Sequence, residues 1–526
     1  MDFNLSNLDF GIILVYLFLV ILLGLYFGKK HEDAEDYFLA GRNLTWPIIG
    51  FSLFASNMSS NSLVGLAGAG YKDGFSVYSY EWMAVIVLII FAVFFLPFYL
   101  KNKIFTIPEY LERRYGYGVR AYASIIAIVL NILVDISATL YAGGLVINLI
   151  FPQYELWQII LGLALIAGVY TISGGLSSVM YTDAAQAVIL IFGSSLITWY
   201  AYEAAGGWEA VKAITEPGHF DVLKPIDDEV LPWPAVFTGV LMIGFYFWGT
   251  NQYITQRTLA SRNIRHGQWG AMFAGFLKLS ILFIMIFPGA FARVLYPDMQ
   301  EMDMIYPTML FDLLPTGMLG IVLAGLIAAM MSSLDSGLNS VSTLVTMDFI
   351  HKFRPGMSSR QLMTVGRVIT TVVMVLAILW APQIRHFEKL WDYLQNTLAW
   401  FCPPIVALFV MGIFSKRVNN NGALVSILIG FLITAGLILA RLLDLDGDLP
   451  NFLYVATLHF LICCLALWLF SARGTHKSKA TLADLVWTPQ EFARETLALR
   501  SEPVWQNYRY QGIALIIAVI VILLIY

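Results

Sequence analysis

Charge is what this chain of 526 residues has least of: 13% of its residues are Asp, Glu, Lys or Arg, and 59% are hydrophobic. A soluble domain carries about twice that charged fraction. Cysteine is scarce as well. Cys402, Cys463 and Cys464 all lie inside apolar runs, and without zinc-type spacing they read as packing residues rather than a disulfide framework or metal centre. The seven histidines are scattered, with no nucleophile or metal partner at useful spacing. There is no G-x-x-x-x-G-K-[ST] phosphate loop, so ATP is not the expected energy source. No catalytic residue and no organic cofactor is assigned. The net charge of −4 offers no basic surface for nucleic acid.

Long apolar runs fill the space that charge leaves. A stretch of about 20 apolar residues spans the ~30 Å hydrocarbon core as a helix. Fourteen such stretches are expected, at 8–28, 46–70, 77–100, 119–150, 154–173, 179–203, 233–256, 268–292, 315–349, 364–382, 391–414, 420–441, 451–471 and 510–526. This predicts an all-α polytopic membrane protein. The first span is not expected to be a signal peptide, because Asp2 and Asp9 flank it and Lys29, Lys30 and Arg42 follow it.

Alternate loops carry basic residues: Lys101, Lys103, Arg113 and Arg114; Arg257, Arg262 and Arg265; Lys352, Arg354 and Arg360; Lys416 and Arg417. The intervening loops hold Glu209, Asp221, Asp227, Asp228 and Glu229, or Asp444, Asp446 and Asp448. The positive-inside rule then places both termini outside a plasma membrane, the inner membrane in a bacterium. The segment TPQEFARETLALR reads as a surface helix, and no soluble module is long enough for a core. No obligate protein partner is evident.

The second span interrupts itself. Ser56, Asn57, Ser59, Ser60, Asn61 and Ser62 crowd its middle, and Gly65, Gly68 and Gly70 follow. Unwound backbone at membrane depth persists only where protein, water or an ion satisfies it. Close helix packing through small residues is the competing explanation for any one of these positions. Five spans further on, the seventh is interrupted by Gly239, Gly244 and Gly249. An odd number of spans per unit inverts the second unit, as in inverted-repeat transporters with broken first helices. The expected organisation is a first helix and loop (1–45), a first five-helix repeat (46–203), an outer loop (204–232), a second, inverted repeat (233–414) and peripheral helices (415–526).

Six stretches resemble the sodium:solute symporter family, on its sodium/sugar cotransporter-like branch: EDYFLAGRNLTWPIIGFSLFASNMSS, GYKDGFSVYSYEWM, TIPEYLERRYG, ISGGLSSVMYTDAAQ, YFWGTNQYITQRTLA and SSLDSGLNSVSTLVTMD. They occur in family order within residues 35 to about 414. The resemblance implies a five-plus-five inverted-repeat (LeuT-like) core that imports a small polar, sugar-like solute with Na+ as coupling ion. By motif, Ala55, Met58 and Ala329 are expected to give backbone carbonyls to sodium, and Ser332 and Ser333 hydroxyls. Back-bonding within the helix is the alternative for the serines. A second sodium, as in some relatives, would draw on Asp183, Asp335 and Ser336; Asp183 reads equally as an N-cap at the start of the sixth span.

For the solute, the resemblance points to Ser62, Glu81, Lys278, Gln395 and Phe247, with Asp392 near the vestibule. A structural ion pair is the competing explanation for Glu81 and Lys278. Leu66, Tyr80 and Trp391 match the outer gate, and Tyr246, Phe247 and Trp248 the inner one. Four positions depart from characterised sugar relatives: Ser62 replaces Gln, Ala84 Ser, Gly244 Asn and Phe247 Tyr. Fewer polar contacts suggest a solute other than a galactose-like hexose, including a larger, deoxygenated, acetylated or acidic sugar. A carboxylate or amino acid symporter, or a sodium-dependent solute sensor, are the rival functions.

Overall fold

The computed structural model describes residues 5–28, 33–216, 218–386, 390–443 and 450–526. Lys29, Lys30, Asp444, Asp446 and Asp448 lie outside them, as does the side chain of Asp392. Among the described residues the secondary structure is helical, with two isolated β-bridges and no strand. Among the described residues, eleven helices are long and apolar enough to cross a membrane. Their lining is inverted relative to a soluble protein. Leu14, Phe18, Phe431 and Leu458 face outward, while Ser52, Asp183, Arg257 and Asp335 are buried inside the bundle.

The elements that matter for function are α1 (Asn7–Phe27), α2 (Trp46–Asn57), α3 (Ser60–Lys72), α4 (Ser79–Ile90), α5 (Tyr117–Leu130), α6 (Ser137–Ile150) and α7 (Leu156–Ala204). They continue with α8 (Leu241–Phe245), α9 (Gln252–Leu259), α10 (Ile264–Lys278), α11 (Met318–Leu344), α12 (Leu390–Phe414) and α13 (Tyr508–Ile525). The long α7 packs along α11, and α10 along α2. Gly175 breaks α7 into two arms, with φ 54 and ψ −165, a conformation open to glycine and closed to most side chains.

The second span is broken as expected, and the structure sharpens where. Helix α2 stops at Asn57, Met58 has φ −90 and ψ 77, and α3 begins at Ser60. Glycines 65, 68 and 70 are not part of the break. A Cβ on Gly68 would lie 2.6 Å from the Met302 carbonyl oxygen, and one on Gly70 2.7 Å from that of Ile286. They serve close backbone approach.

In the seventh span the expected interruption at Gly239, Gly244 and Gly249 does not occur. The chain runs through Gly239 and Gly249 as π-helical turns at Val236–Val240 and Tyr246–Thr250, through Gly244 as α-helix, and leaves the helix at Asn251. Asn251 has φ −76 and ψ 124, and its side chain caps α9 by accepting from the Tyr253 amide. A glycine lowers helix stability, but a capping Asn ends the helix.

The loop after α7 is pinned under the turn that starts α4. Phe75 N donates to the His219 carbonyl at 2.9 Å, and a His219 ring nitrogen lies 3.3 Å from the Gly70 carbonyl. Burial, with Arg293 close by, brings the His219 pKa down to about 4. The segment TPQEFARETLALR forms a helix, Pro489–Leu499, capped by Thr488.

Candidate sodium and solute sites

A helix that ends inside a bundle leaves its last carbonyls without intrahelical donors. At the end of α2 those oxygens find side chains. The Ser332 hydroxyl donates to the Ala55 carbonyl at 3.0 Å and also reaches its own Ala329 carbonyl at 3.0 Å. Ser333 donates to the Ser56 carbonyl at 3.0 Å, which also accepts from the Tyr253 hydroxyl at 2.5 Å. The Asn57 carbonyl accepts from Ser62 at 3.0 Å. Ser332 therefore back-bonds and bridges at once, Ser333 bridges only, and α2 is tied to α11. All of Ala55, Met58, Ala329, Ser332 and Ser333 are buried, and they contribute neutral oxygens only. Hard cations of low charge take such ligands.

One turn further along α11 the character changes. Ser336 and Asp183 meet a residue that the loop pattern assigned to a surface: Arg257. It is 1% exposed, so its place among the loop charges is corrected. Its Nη2 lies 3.2 Å from Asp183 Oδ2 and also donates to Ser56 and Ser336, while Nε donates to Ser52 at 2.9 Å. Nη1 donates to the Tyr253 carbonyl. Residues 252–259 are helical and fold back beneath α2, which carries the guanidinium inward. Ser52 and Ser56 donate to Asp183 Oδ2 at 2.5 and 3.0 Å, whereas Oδ1 has no partner among the described residues.

Asp183 is not an N-cap. The backbone is helical from just after Gly175, and Asp183 sits well inside that arm of α7. Asp335 faces another way: the Thr171 hydroxyl donates to its carboxylate. The structure brings Asp183 and Ser336 together around Arg257.

Beside the break is a cavity of about 100 Å³, room for several waters. Ser62, Tyr80, Glu81, Phe247, Trp248, Lys278, Trp391 and Gln395 line it. Lys278 pairs with Glu81 and also donates to Asn57, and its ammonium stands 5.2 Å over the Trp248 ring. Tyr80 and Trp391 meet edge to face with centroids 5.5 Å apart. Leu66 and Tyr246 are buried but do not line the cavity. Asn61 Oδ1 and Gln395 Oε1 are buried without a partner among the described residues.

The sequence model of the Sodium:solute symporter family matches residues 37–430. The chain belongs to this family. Among curated relatives, the symporter is 32% identical over 551 residues to the sodium/glucose cotransporter 1 of Ovis aries, covering 94% of this chain and 83% of that one. It is 35% identical over 465 residues to the sodium/myo-inositol cotransporter 2 of Homo sapiens, covering 81% and 69%. Among solved structures, a Na+-coupled sialic acid symporter in a substrate-bound outward-open state superposes with a TM-score of 0.80 at 23% identity, covering 91% of this chain and all of that one. A nucleobase-cation-symport-1 family transporter in a closed conformation gives 0.57 at 13% identity, covering 86% and 99%. Both likenesses concern the fold.

The symporter is thus an integral membrane protein whose activity is sodium-coupled solute transport, not enzymatic turnover. Two residues escaped the reading of the sequence: Asp135, which lines the cavity, and Asn251, which caps α9 behind it. Asn251 lies in the YFWGTNQYITQRTLA stretch. Asp135 is an ionisable residue inside the fourth expected span, the same signal that picked out Asp183 and Asp335.

Proposed function

We propose that the protein imports a sugar-like, polyhydroxylated solute together with Na+ by alternating access, through fourteen crossings arranged as a five-plus-five inverted repeat. The eleven full-length spans, the broken pairs Trp46–Lys72 and Trp233–Leu259 and the shorter Leu156–Gly168 supply that number. The repeats are 46–203 and 233–414, and both termini lie on the outer side. The observation that carries the reading is the end of α2: freed carbonyls face Ser332 and Ser333 across a helix crossing, beside a cavity with paired charge and aromatic walls. Sodium at Ala55, Met58, Ala329, Ser332 and Ser333 replaces the hydroxyl protons as partner of these oxygens and locks α2 to α11. Solute then engages Glu81, Lys278, Gln395 and Ser62, stacks on Phe247 and closes Tyr80 and Trp391.

A membrane potential supplies ~2.3 kcal/mol per charge per 100 mV, and a tenfold sodium gradient ~1.4 kcal/mol. One sodium thus supports roughly several-hundred-fold accumulation. The names of the glucose and myo-inositol relatives favour a neutral sugar or cyclitol. A second reading, two sodium ions per cycle, is favoured by the unpartnered Oδ1 of Asp183; it places the second ion near Asp183, Asp335 and Ser336 and requires Arg257 to withdraw.

Uptake of labelled glucose and myo-inositol into proteoliposomes tests the function. Accumulation should follow an inward sodium gradient and vanish when the gradient is dissipated. Binding without accumulation would make the protein a sensor instead.

A further inference from the structure

The Glu81–Lys278 pair is electrically neutral, and it is the visible charge of the solute cavity. A third ionisable group stands on the same wall. Asp135 lines the cavity and is half-buried, so the surface it retains is cavity surface. It sits in a π-helical turn, Asn131–Ile136, between α5 and α6. Such turns insert one extra residue per loop of helix and re-aim side chains, commonly at functional positions. The Asn251 side chain stands beside its carboxylate. Asn251 is itself fixed, since its oxygen accepts from the Tyr253 amide at 3.0 Å and from Asn131 at 3.4 Å.

No Lys or Arg pairs with Asp135 among the described residues. Lys278 is spent on Glu81 and Asn57, and Arg257 on Asp183 and its serines. The wall therefore carries two acids and one base. A carboxylate held in a low-dielectric pocket without a cationic partner has unused acceptor capacity: each oxygen can take further hydrogen bonds, and a pair of adjacent hydroxyls matches its two oxygens. The same group repels a second carboxylate brought into the cavity, where screening by water is weak.

We propose that Asp135 is the charge-selecting residue of the cavity, accepting hydrogen bonds from vicinal hydroxyls of a solute without negative charge and turning uronates away. The inference rests on the solute reading of this cavity. It removes acidic sugars from the candidate substrates and leaves neutral sugars, cyclitols and amino sugars. Discrimination of this kind comes from the repulsive element as much as from the attractive one.

The test uses the purified full-length chain in sodium, with glucose, myo-inositol and glucosamine as one probe class and glucuronate as the other, read by thermal shift and calorimetry. A neutral or amino probe should bind about a hundredfold more tightly than glucuronate. Asp135→Asn should weaken the preferred probe about tenfold and bring the two classes within about tenfold of each other. Half-saturation by sodium alone should stay where it is. Asp135→Glu should keep the exclusion of glucuronate, and with the wild-type ratio it decides the matter should Asp135→Asn fail to fold. Equal wild-type binding of both classes overturns the proposal, as does an Asp135→Asn variant whose selectivity is intact. A variant altered only in its sodium dependence also overturns it, making Asp135 a counter-charge to the ion. Binding of no probe in sodium sinks the solute reading itself, and this inference with it.

Discussion

Two oxygen clusters lie one helical turn apart on α11, and they solve the problem of buried polarity in opposite ways. The cluster at Ser332 and Ser333 is built from carbonyls and hydroxyls without formal charge. The cluster at Ser336 contains a carboxylate and closes on a guanidinium that the chain itself supplies. A cation entering the first brings charge to a place that has none and finds oxygens already gathered. A cation entering the second meets Arg257, and the sum of Asp183, Arg257 and sodium would be a net positive charge with no water around it. Neutral cages suit an ion that must arrive and leave; charged clusters with a resident partner suit a hinge that must stay shut. We assign the transported ion to the neutral cluster on this ground.

The comparison is broken most violently by removing the resident cation. Arg257→Met leaves Asp183 buried with only hydroxyl donors, and loss of one partner from a buried pair costs about 3–5 kcal/mol. The variant is expected to lose most of its folded yield, while Arg257→Met combined with Asp183→Asn recovers a large part of it. A double-mutant cycle on melting temperature in detergent measures the coupling. Additive losses would mean that the two charges do not depend on each other.

A smaller effect is expected in the neutral cluster. Ser333→Ala removes one oxygen from the proposed sodium cage and one hydrogen bond to the Ser56 carbonyl. Half-activation of uptake by sodium should rise about tenfold, the equivalent of ~1.4 kcal/mol. Solute affinity at saturating sodium should hold steady. An unchanged sodium dependence would remove Ser333 from the cage.

Which of these features could be read without coordinates depended on whether the sequence revealed a partner. The break in the second span was legible because six polar residues in an apolar run must be satisfied by something. Its exact place was not: of the glycines that looked like breakers, Gly68 and Gly70 turned out to be contact points for Met302 and Ile286, and Gly65 faces Trp391. Ser332, Ser333, Glu81, Lys278 and Gln395 were picked out through motif, and the structure puts the two serines against the end of α2 and the other three on the wall of the neighbouring cavity. Arg257 was misread because a charge at the end of a span, close to Arg262 and Arg265, looks the same whether the chain continues outward or folds back. Only the position of Asp183 and the three serines tells them apart. Asp135 was missed for a different reason. The rule that any ionisable residue in a span is a functional candidate applied to it in full, but it matched no motif and was passed over.

The finest test is a pair of serines on one helix. Ser333 and Ser336 are both buried, both on α11, and both within reach of a hydroxyl or carbonyl of α2. Ser336 differs in what occupies it: it accepts from Arg257 and donates to the Ser332 carbonyl at 2.5 Å. With the guanidinium in place, Ser336→Ala deletes one hydrogen bond of a saturated cluster, worth about 1 kcal/mol of stability. It should move half-activation by sodium less than about threefold, because that oxygen is not part of the cage. Sodium-to-solute stoichiometry, measured from charge and solute flux in the same proteoliposomes, should then be one in the wild type and remain one in Ser336→Ala. A wild-type ratio of two, or a Ser336→Ala shift as large as that of Ser333→Ala, would show Arg257 vacating its place during transport. The charged cluster would then be a second ion site, not a latch.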